Sequence, residues 1–252
     1  MPTIAAIYRY PVKGLSPESL GEATVAPGGV IPYDRAYAIE NGPSGFDADA
    51  PSYFPKIAFL MLMRNERLAE LRTRFDPATT TLSIAREGAV VAEGRLDTPD
   101  GRQTIEAYFD GFAANELRGP ARILSAPDGY SFSDVARKVV SLINVETTRA
   151  MAREFGASID PLRFRGNLLV EGLPAWEEFD WLGRELVAGD VRFRVVKRIQ
   201  RCAATNVDPE SGRRDRTIPV SLMRAYGHSD CGIYLEVVGG GTLRPGDAIA
   251  PG

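Results

Sequence analysis

Histidine is almost missing from this chain: His228 is the only one among 252 residues, and cysteine occurs just twice, at Cys202 and Cys231. One imidazole cannot build a His-rich metal centre or a His-x-x-x-His zinc motif. A Ser-His-Asp triad would have to use His228, in the turn Tyr226-Gly227-His228-Ser229, and no Gly-x-Ser-x-Gly elbow accompanies it. Two thiols fall short of a plant-type iron–sulfur centre and form no disulfide framework. A Cys202–Cys231 bridge stays open, although free thiols fit a reducing cytoplasm. No apolar run approaches the ~20 residues of a membrane helix. Met1 to Tyr10 also lacks the charged and then apolar regions of a secretory signal. A basic surplus is absent too. The formal charge of -3 argues against general nucleic-acid binding, while a basic pocket inside an acidic protein stays possible. Walker and Gly-x-Gly-x-x-Gly signatures are missing, and Gly239-Gly240-Gly241 reads as a turn between strands.

What is present is an ordinary globular composition, 44% hydrophobic and 25% charged, cut into short segments by Gly and Pro. Ile4 to Tyr10, Thr24 to Ala26, Ala36 to Glu40, Thr79 to Ala85 and Val90 to Glu93 read as strands. Ala58 to Met63 looks strand-like, Arg67 to Thr73 reads as the tail of a short helix, and Phe75-Asp76-Pro77 as the turn after it. Asp97 to Gly101 reads as a loop, and Thr104 to Ala114 as part strand, part helix. A boundary near Gly119-Pro120 divides the chain into 1–118 and 119–252. Beyond it, Val139 to Ile143, Asn167 to Glu171, Val191 to Arg201 and Ile233 to Val238 are strands. Asn144 caps a helix over Val145 to Phe155 that Gly156 ends. The pattern predicts a mainly β fold with a few helices, barrel-like or sandwich in architecture.

Four segments could carry chemistry. Cys202 closes the basic strand Val195 to Arg201, with Lys197, Arg198 and Arg201 within five residues, and cations lower a thiol's pKa. A buried small hydrophobe is the equal alternative for a free cysteine. If the strand alternates without a bulge, Cys202 shares a face with Arg192, Arg194, Arg198 and Gln200. Arg163-Phe164-Arg165-Gly166-Asn167 suits an oxyanion, because guanidinium donates in a planar fork; an ion pair to Asp160 is the bland alternative. Tyr10-Pro11-Val12-Lys13-Gly14, with Tyr33-Asp34-Arg35, offers a point charge for a phosphate, although surface lysines are common. Cys231 has no adjacent cations and reads as structural, and Trp176 and Trp181 read as packing anchors.

Together these segments resemble the MOSC family, the molybdenum-cofactor domain shared by cofactor sulfurases and amidoxime reductases. The likeness rests on Tyr10-Pro11-Val12-Lys13, Asp34-Arg35, Arg163 to Asn167, Arg201-Cys202 through Asp208-Pro209 and Ser211-Gly212, and Gly241 to Asp247. It implies a β-barrel N-terminal domain ahead of a MOSC β-barrel. It further implies a mononuclear molybdenum cofactor (molybdopterin), ligated by Cys202 as metal ligand and catalytic centre. Lys13, Arg35, Arg165 and Asn167 would hold the pterin and phosphate, with Arg201 beside the ligand. The implied activity is reduction of N-hydroxylated or N-oxide small molecules in the cytoplasm. Electrons would come from a separate flavoprotein or iron–sulfur protein, since this chain lacks a ferredoxin module. The other class of function is a cofactor carrier or sulfur-transfer protein using a Cys202 persulfide. Gly14 stands where relatives often have serine and Gly166 where they often have proline. Ser133 and Thr147 are the candidates for a hydroxyl pair near the phosphate.

Overall fold

Period-two alternation builds most of this molecule, because a strand with one apolar face must bury it against another layer. The computed structural model describes residues 1–125, 127 and 129–252. It is mainly β, with three α-helices among the described residues. In chain order the first half holds β1 (Thr3–Arg9), β2 (Glu18–Leu20), β3 (Ala23–Val25), β4 (Tyr37–Asn41), β5 (Arg72–Asp76), β6 (Thr81–Arg86), β7 (Ala89–Arg95), α1 (Pro99–Phe112) and β8 (Ala121–Ser125). The second half holds β9 (Val140–Asn144), α2 (Val145–Phe155), β10 (Leu168–Glu171), β11 (Glu185–Ala188), β12 (Val191–Gln200), α3 (Ile218–Tyr226), β13 (Asp230–Gly239), β14 (Gly241–Leu243) and β15 (Ile249–Pro251). No helix among the described residues is long and apolar enough to cross a membrane.

Eight strands form one strongly curled half-barrel in the order β15-β11-β12-β13-β9-β10-β1-β2. Only β9 and β10 run parallel in it. Its concave face buries Ile4, Ile7, Leu142, Phe193 and Leu235, and the β3–β14 ribbon adds Val25 and Leu243 to the same core. A second core lies under β4–β8, the β5–β6–β7 meander and α1, with Phe75, Leu82, Ile84, Ile105 and Phe109 inside. Strand β1 connects the two halves: it pairs with β10 and β2, and the Tyr10 to Gly14 segment that follows it leads toward the second core.

The sequence patterns fail in three places, each for a local reason. The expected loop at Asp97 to Gly101 and the mixed segment after it are instead one helix, α1. Thr98 caps it by accepting from the Gly101 amide, and Pro99 occupies the first turn, where its missing N–H costs nothing. Phe75 and Asp76 belong to β5 rather than to a turn, because β5 pairs with β6 from Arg72↔Ala85 to Asp76↔Thr81. Residues 58–63 form no strand: a single bridge, Glu40↔Phe59, is their only ladder contact, and the helical turn before β5 is Glu66–Glu70.

β12 departs from simple alternation as well. Val191, Phe193 and Val195 point inward, then the register shifts between Val195 and Lys197 and again between Arg198 and Gln200. Lys197 is therefore exposed rather than aligned with Val195 and Ile199. Arg192 and Arg194 point away from Cys202, and Arg194 pairs with Glu185 2.6 Å away. Arg198 and Gln200 do line the cleft with Cys202 as expected, and further guanidinium groups, those of Arg35, Arg163 and Arg165, come from other elements.

The expectation for α2 holds. Asn144 Oδ1 accepts from the Glu146 amide, and Gly156 ends the helix in the left-handed region. Asn144 Nδ2 also donates 2.8 Å to Glu178, a fully buried carboxylate whose pKa burial pushes up. Asn144→Ala removes a cap and one of the donors to that carboxylate, at a cost of about 3 kcal/mol. Urea unfolding checks this: the midpoint should fall with the slope unchanged, and an unshifted midpoint would contradict the assignment.

Candidate functional site

A cleft of about 410 Å³ opens where the ends of the half-barrel meet the second core. Cys202, Lys13, Arg35, Arg165, Asn167 and Arg201, the six residues named from sequence, all line it. Part of the lining is a cross-strand row. Lys197 pairs with Tyr234 and Tyr234 with Ser141, and the row continues to Asn167, whose amide donates to Ser141 O at 2.9 Å. Met61, Leu62 and Val135 add an apolar stretch that no sequence motif indicated.

Tyr10 organises the cationic end. Arg165 lies 4.2 Å and Arg35 4.8 Å from its ring centroid, so two like charges share one quadrupole. Both arginines hold positive φ, 52° and 55°, a region that costs a non-glycine residue of order 1 kcal/mol. Tertiary contacts enforce those conformations. Asp34 accepts from the Tyr10 amide at 2.9 Å and from Arg35 Nη1, while Arg35 Nη2 donates to the Arg165 carbonyl at 3.0 Å. Arg165 Nη1 donates to Leu15 O at 2.8 Å, and its buried Nη2 has no hydrogen-bond partner among the described residues. Burial, and secondarily the Arg35 charge, pull the Arg165 guanidinium down to about 10. Burial pushes the Tyr10 phenol up to about 12, which keeps its ring neutral between the two cations.

Lys13 is buried and donates to the Phe132 carbonyl at 2.8 Å and to Asp134. The segment carrying Asp134 is anchored by Phe132, packed in an aromatic cluster with Phe46, Phe59 and Tyr130. Lys56, which carried no sequence signal, also lines the cleft, 3.7 Å from Asp134. Burial opposes its charge, yet attraction to Asp134 and then to the Cys202 sulfur outweighs this and raises its pKa.

Arg201 is held differently. Its guanidinium donates to the carbonyls of Cys231 (Nε, 2.7 Å) and Phe164 (Nη1, 2.9 Å), so no carboxylate neutralises it. Gly232 makes room for this arrangement. Its φ is +77°, and a Cβ there would stand 2.3 Å from Leu142 O and 3.2 Å from Arg201 Nη2. Gly166 is similarly enforced, since a Cβ would meet Ile143 Cγ1 at 2.4 Å. Gly14, the other departure from the family pattern, lines the same cleft.

Several neighbours take structural roles. Arg163 makes no pair with Asp160, which caps the Pro161–Phe164 turn instead. The buried guanidinium of Arg163 forms a bidentate pair with the exposed Asp215 (2.8 and 2.9 Å) and reaches Asp208 at 2.8 Å. This pins the Asp208-Pro209 turn behind Cys202. Asn167 stitches strand ends together: its Oδ1 accepts from Ser141 N and Oγ, and its Nδ2 donates to Tyr8 O. Of the proposed hydroxyls, Ser133 lines the cleft and Thr147 does not; Thr147 binds buried Glu178. Cys231 is a core residue whose thiol burial pushes up to about 12, and Trp181 is buried as a packing anchor.

Cys202 is half-buried, unpaired and on the cleft wall, at the end of β12 and the start of a short turn (Ala203–Asn206). No group of three or more His, Cys, Asp and Glu side chains able to hold a metal occurs among the described residues. Counted by residue, the cleft is lined by eight cations (Lys13, Arg35, Lys56, Arg163, Arg165, Lys197, Arg198 and Arg201) and two carboxylates (Asp34 and Asp134). The lining is strongly cationic, and Cys202 is the one thiol in it.

Burial opposes the Asp134 charge, but Lys13 outweighs it and holds the carboxyl down to about 2, against an ordinary 3.8. A depressed acid stabilises the fold fully above its unfolded pKa and loses that contribution as pH falls toward the folded value. Unfolding midpoints should therefore fall between about pH 4 and pH 2 more steeply in the native protein than in Asp134→Asn. Parallel curves would show that the pair contributes nothing.

A family model described as MOSC N-terminal beta barrel domain matches residues 1–117, and one described as MOSC domain matches residues 128–250. The mouse mitochondrial amidoxime-reducing component 1 is 21% identical over 283 aligned positions, 98% of this chain and 81% of that protein. The rat mitochondrial amidoxime reducing component 2 is 36% identical over 98 residues, 34% of this chain and 28% of that protein. A molybdenum cofactor sulfurase of Anopheles gambiae is 27% identical over 275 positions, which span 94% of this chain but 34% of the sulfurase. Among solved structures, the YUAD protein of Bacillus subtilis aligns over 99% of this chain and 94% of its own at 12% identity, with a TM-score of 0.46. With two family models matching nearly every residue in sequence order, the chain belongs to the MOSC-domain family, in its two-part form with an N-terminal β-barrel domain.

Proposed function

We propose that this protein binds a molybdenum–pterin cofactor through Cys202 and reduces N-hydroxylated small molecules, with electrons from a separate redox protein. One observation carries the reading: a lone accessible thiol shares a cleft with eight cations and two carboxylates. The residues present fit such a group on two counts. A soft metal takes a thiolate, and a site offering only one requires a ligand set that arrives with the metal, as dithiolene sulfurs would. The buried, unpartnered Nη2 of Arg165 is a donor that an anionic pterin phosphate would satisfy.

In this reading Arg165 and Arg35, aligned on Tyr10, hold the phosphate end. Lys13 and Asn167 line the pterin, and Arg201 places a fixed positive charge beside the sulfur. When bound, the cofactor supplies a two-electron redox centre able to remove oxygen from an N–OH group. The protein's own part is orientation and charge. Asp34 and Asp134 hold Arg35 and Lys13 in place, and Lys56 interacts with both Asp134 and the Cys202 sulfur. The names of the mouse and rat relatives support amidoximes as the substrate class. Cytoplasmic residence and a division of the chain at 1–118 and 119–252 are part of the same proposal.

The half-exposed position of Cys202 and the sulfurase relative favour a second reading, a cofactor carrier or persulfide sulfur-transfer protein. Mass spectrometry separates the two, since a persulfide on Cys202 supports transfer and an unmodified thiol with stoichiometric molybdenum supports reduction.

Protein expressed with molybdate should carry molybdenum by elemental analysis and reduce benzamidoxime with a chemical reductant, and Cys202→Ser should lose both. Molybdenum retained at equal stoichiometry in Cys202→Ser would overturn the ligand assignment. Bound cofactor without turnover would overturn the reductase.

A further inference from the structure

The cations around Cys202 differ in how they are satisfied. Arg35 faces Asp34, Lys13 faces Asp134, and Arg165 and Arg201 donate to main-chain carbonyls. Arg198, 4.2 Å from the Phe179 ring centroid, and Lys197 are different. Among the described residues no hydrogen bond or ion pair reaches either side chain, and the Lys197 ammonium rests 5.7 Å from the ring centroid of Tyr234. It is exposed and lines the cleft, and it belongs to the same cross-strand row as Tyr234 and Ser141. Two register shifts put it there. They bracket Lys197 and Arg198, breaking the alternation that would have turned Lys197 toward the core with Val195. Bulges that re-aim a side chain beside an active site are built features rather than defects. The same cleft carries the apolar side chains of Met61, Leu62 and Val135.

Resting on the reductase reading above, we propose that the substrates are N-hydroxylated compounds with an apolar, aromatic body and an anionic substituent, and that Lys197 selects for the anion. The ammonium is a compact point charge, so it accepts a carboxylate or a phosphate without demanding a planar geometry. It comes free of a competing carboxylate, so no intramolecular pair must break when substrate binds. Met61, Leu62 and Val135 give the aromatic body a surface to cover. Among the described residues Lys197 has no hydrogen bond to Cys202 or to the groups assigned to the pterin, and its proposed role is substrate preference rather than chemistry.

The test compares 4-carboxybenzamidoxime with benzamidoxime on the molybdenum-loaded protein, by steady-state kinetics and by calorimetric binding. The native protein should prefer the carboxylated compound by about 3- to 10-fold in kcat/KM, the range for one partly exposed charge pair, and the preference should shrink with added salt. In Lys197→Met the ratio should fall to about one, in Lys197→Glu it should invert, and Lys197→Arg should restore it. A purely structural role would move both substrates together and leave the ratio intact. A native ratio near one, or a ratio unmoved in Lys197→Met and Lys197→Glu, overturns the proposal. Selective binding of the carboxylated compound without turnover of either would sink the reductase and leave the anion preference standing. Failure to bind either compound would sink both.

Discussion

Two guanidinium groups are held against one phenol ring, and the geometry of the whole site follows from that contact. Arg35 and Arg165 come from opposite halves of the chain, yet both stack on Tyr10, at 4.8 and 4.2 Å. Like charges at such separations repel, and each arginine also sits in the left-handed region. Neither element would adopt this arrangement alone. It survives because the surrounding contacts over-determine it: Asp34 binds both Arg35 and the Tyr10 amide, and Arg35 donates to the Arg165 carbonyl. The same contacts lock the segment after β1 to the segment before β10. Tyr10 is thus a structural seam as well as the platform for two cations of the cleft. A phenol that ionised would cancel the field, and its burial prevents that.

Carbonyls and carboxylates do different work around this seam. Asp34 and Asp134 neutralise Arg35 and Lys13, so those two pairs set positions without adding much field. The Cys231 and Phe164 carbonyls satisfy the hydrogen bonds of Arg201, and the Leu15 carbonyl takes one from Arg165. A carbonyl removes the cost of an unmade hydrogen bond but leaves the positive charge in place. The protein therefore fixes its guanidinium groups rigidly while keeping their charge available. Arg163 is the contrasting case, neutralised by Asp208 and Asp215 and spent on folding the loop behind Cys202.

The sequence was most legible where local chemistry decides the outcome. The Asn144 cap and the Gly156 stop depend on neighbours only a few residues away, and they stand as read. All six site residues read from the family motifs line one cleft. What escaped depends on distant partners. The bulges of β12 are set by pairing with β13, so the strand's own alternation could not reveal that Lys197 faces outward. Lys56 lies on an undistinguished turn and matters only because Asp134 and Cys202 arrive beside it. Helix α1 is the exception, since Thr98-Pro99 is a local start signal that the Asp-Gly and Pro content obscured.

The solitary thiol also constrains what kind of partner this cleft can take. Cys231 shows what burial does to an unneeded thiol, pushing it up to about 12 among apolar neighbours. Cys202 is spared that environment because β12 ends before the turn at Ala203–Asn206, leaving the sulfur half-exposed beside Lys56 and Arg201. A site of many fixed cations and one thiol, with no cluster of His, Cys, Asp or Glu among the described residues, does not itself supply the coordination shell of a metal ion. It can orient an anionic group that arrives with most of its ligands already bonded, adding a single bond through sulfur. Selectivity then lies in the charge map and not in a ligand cage, which is why fixed guanidinium groups occupy the positions where metal sites built from side chains place histidines and carboxylates.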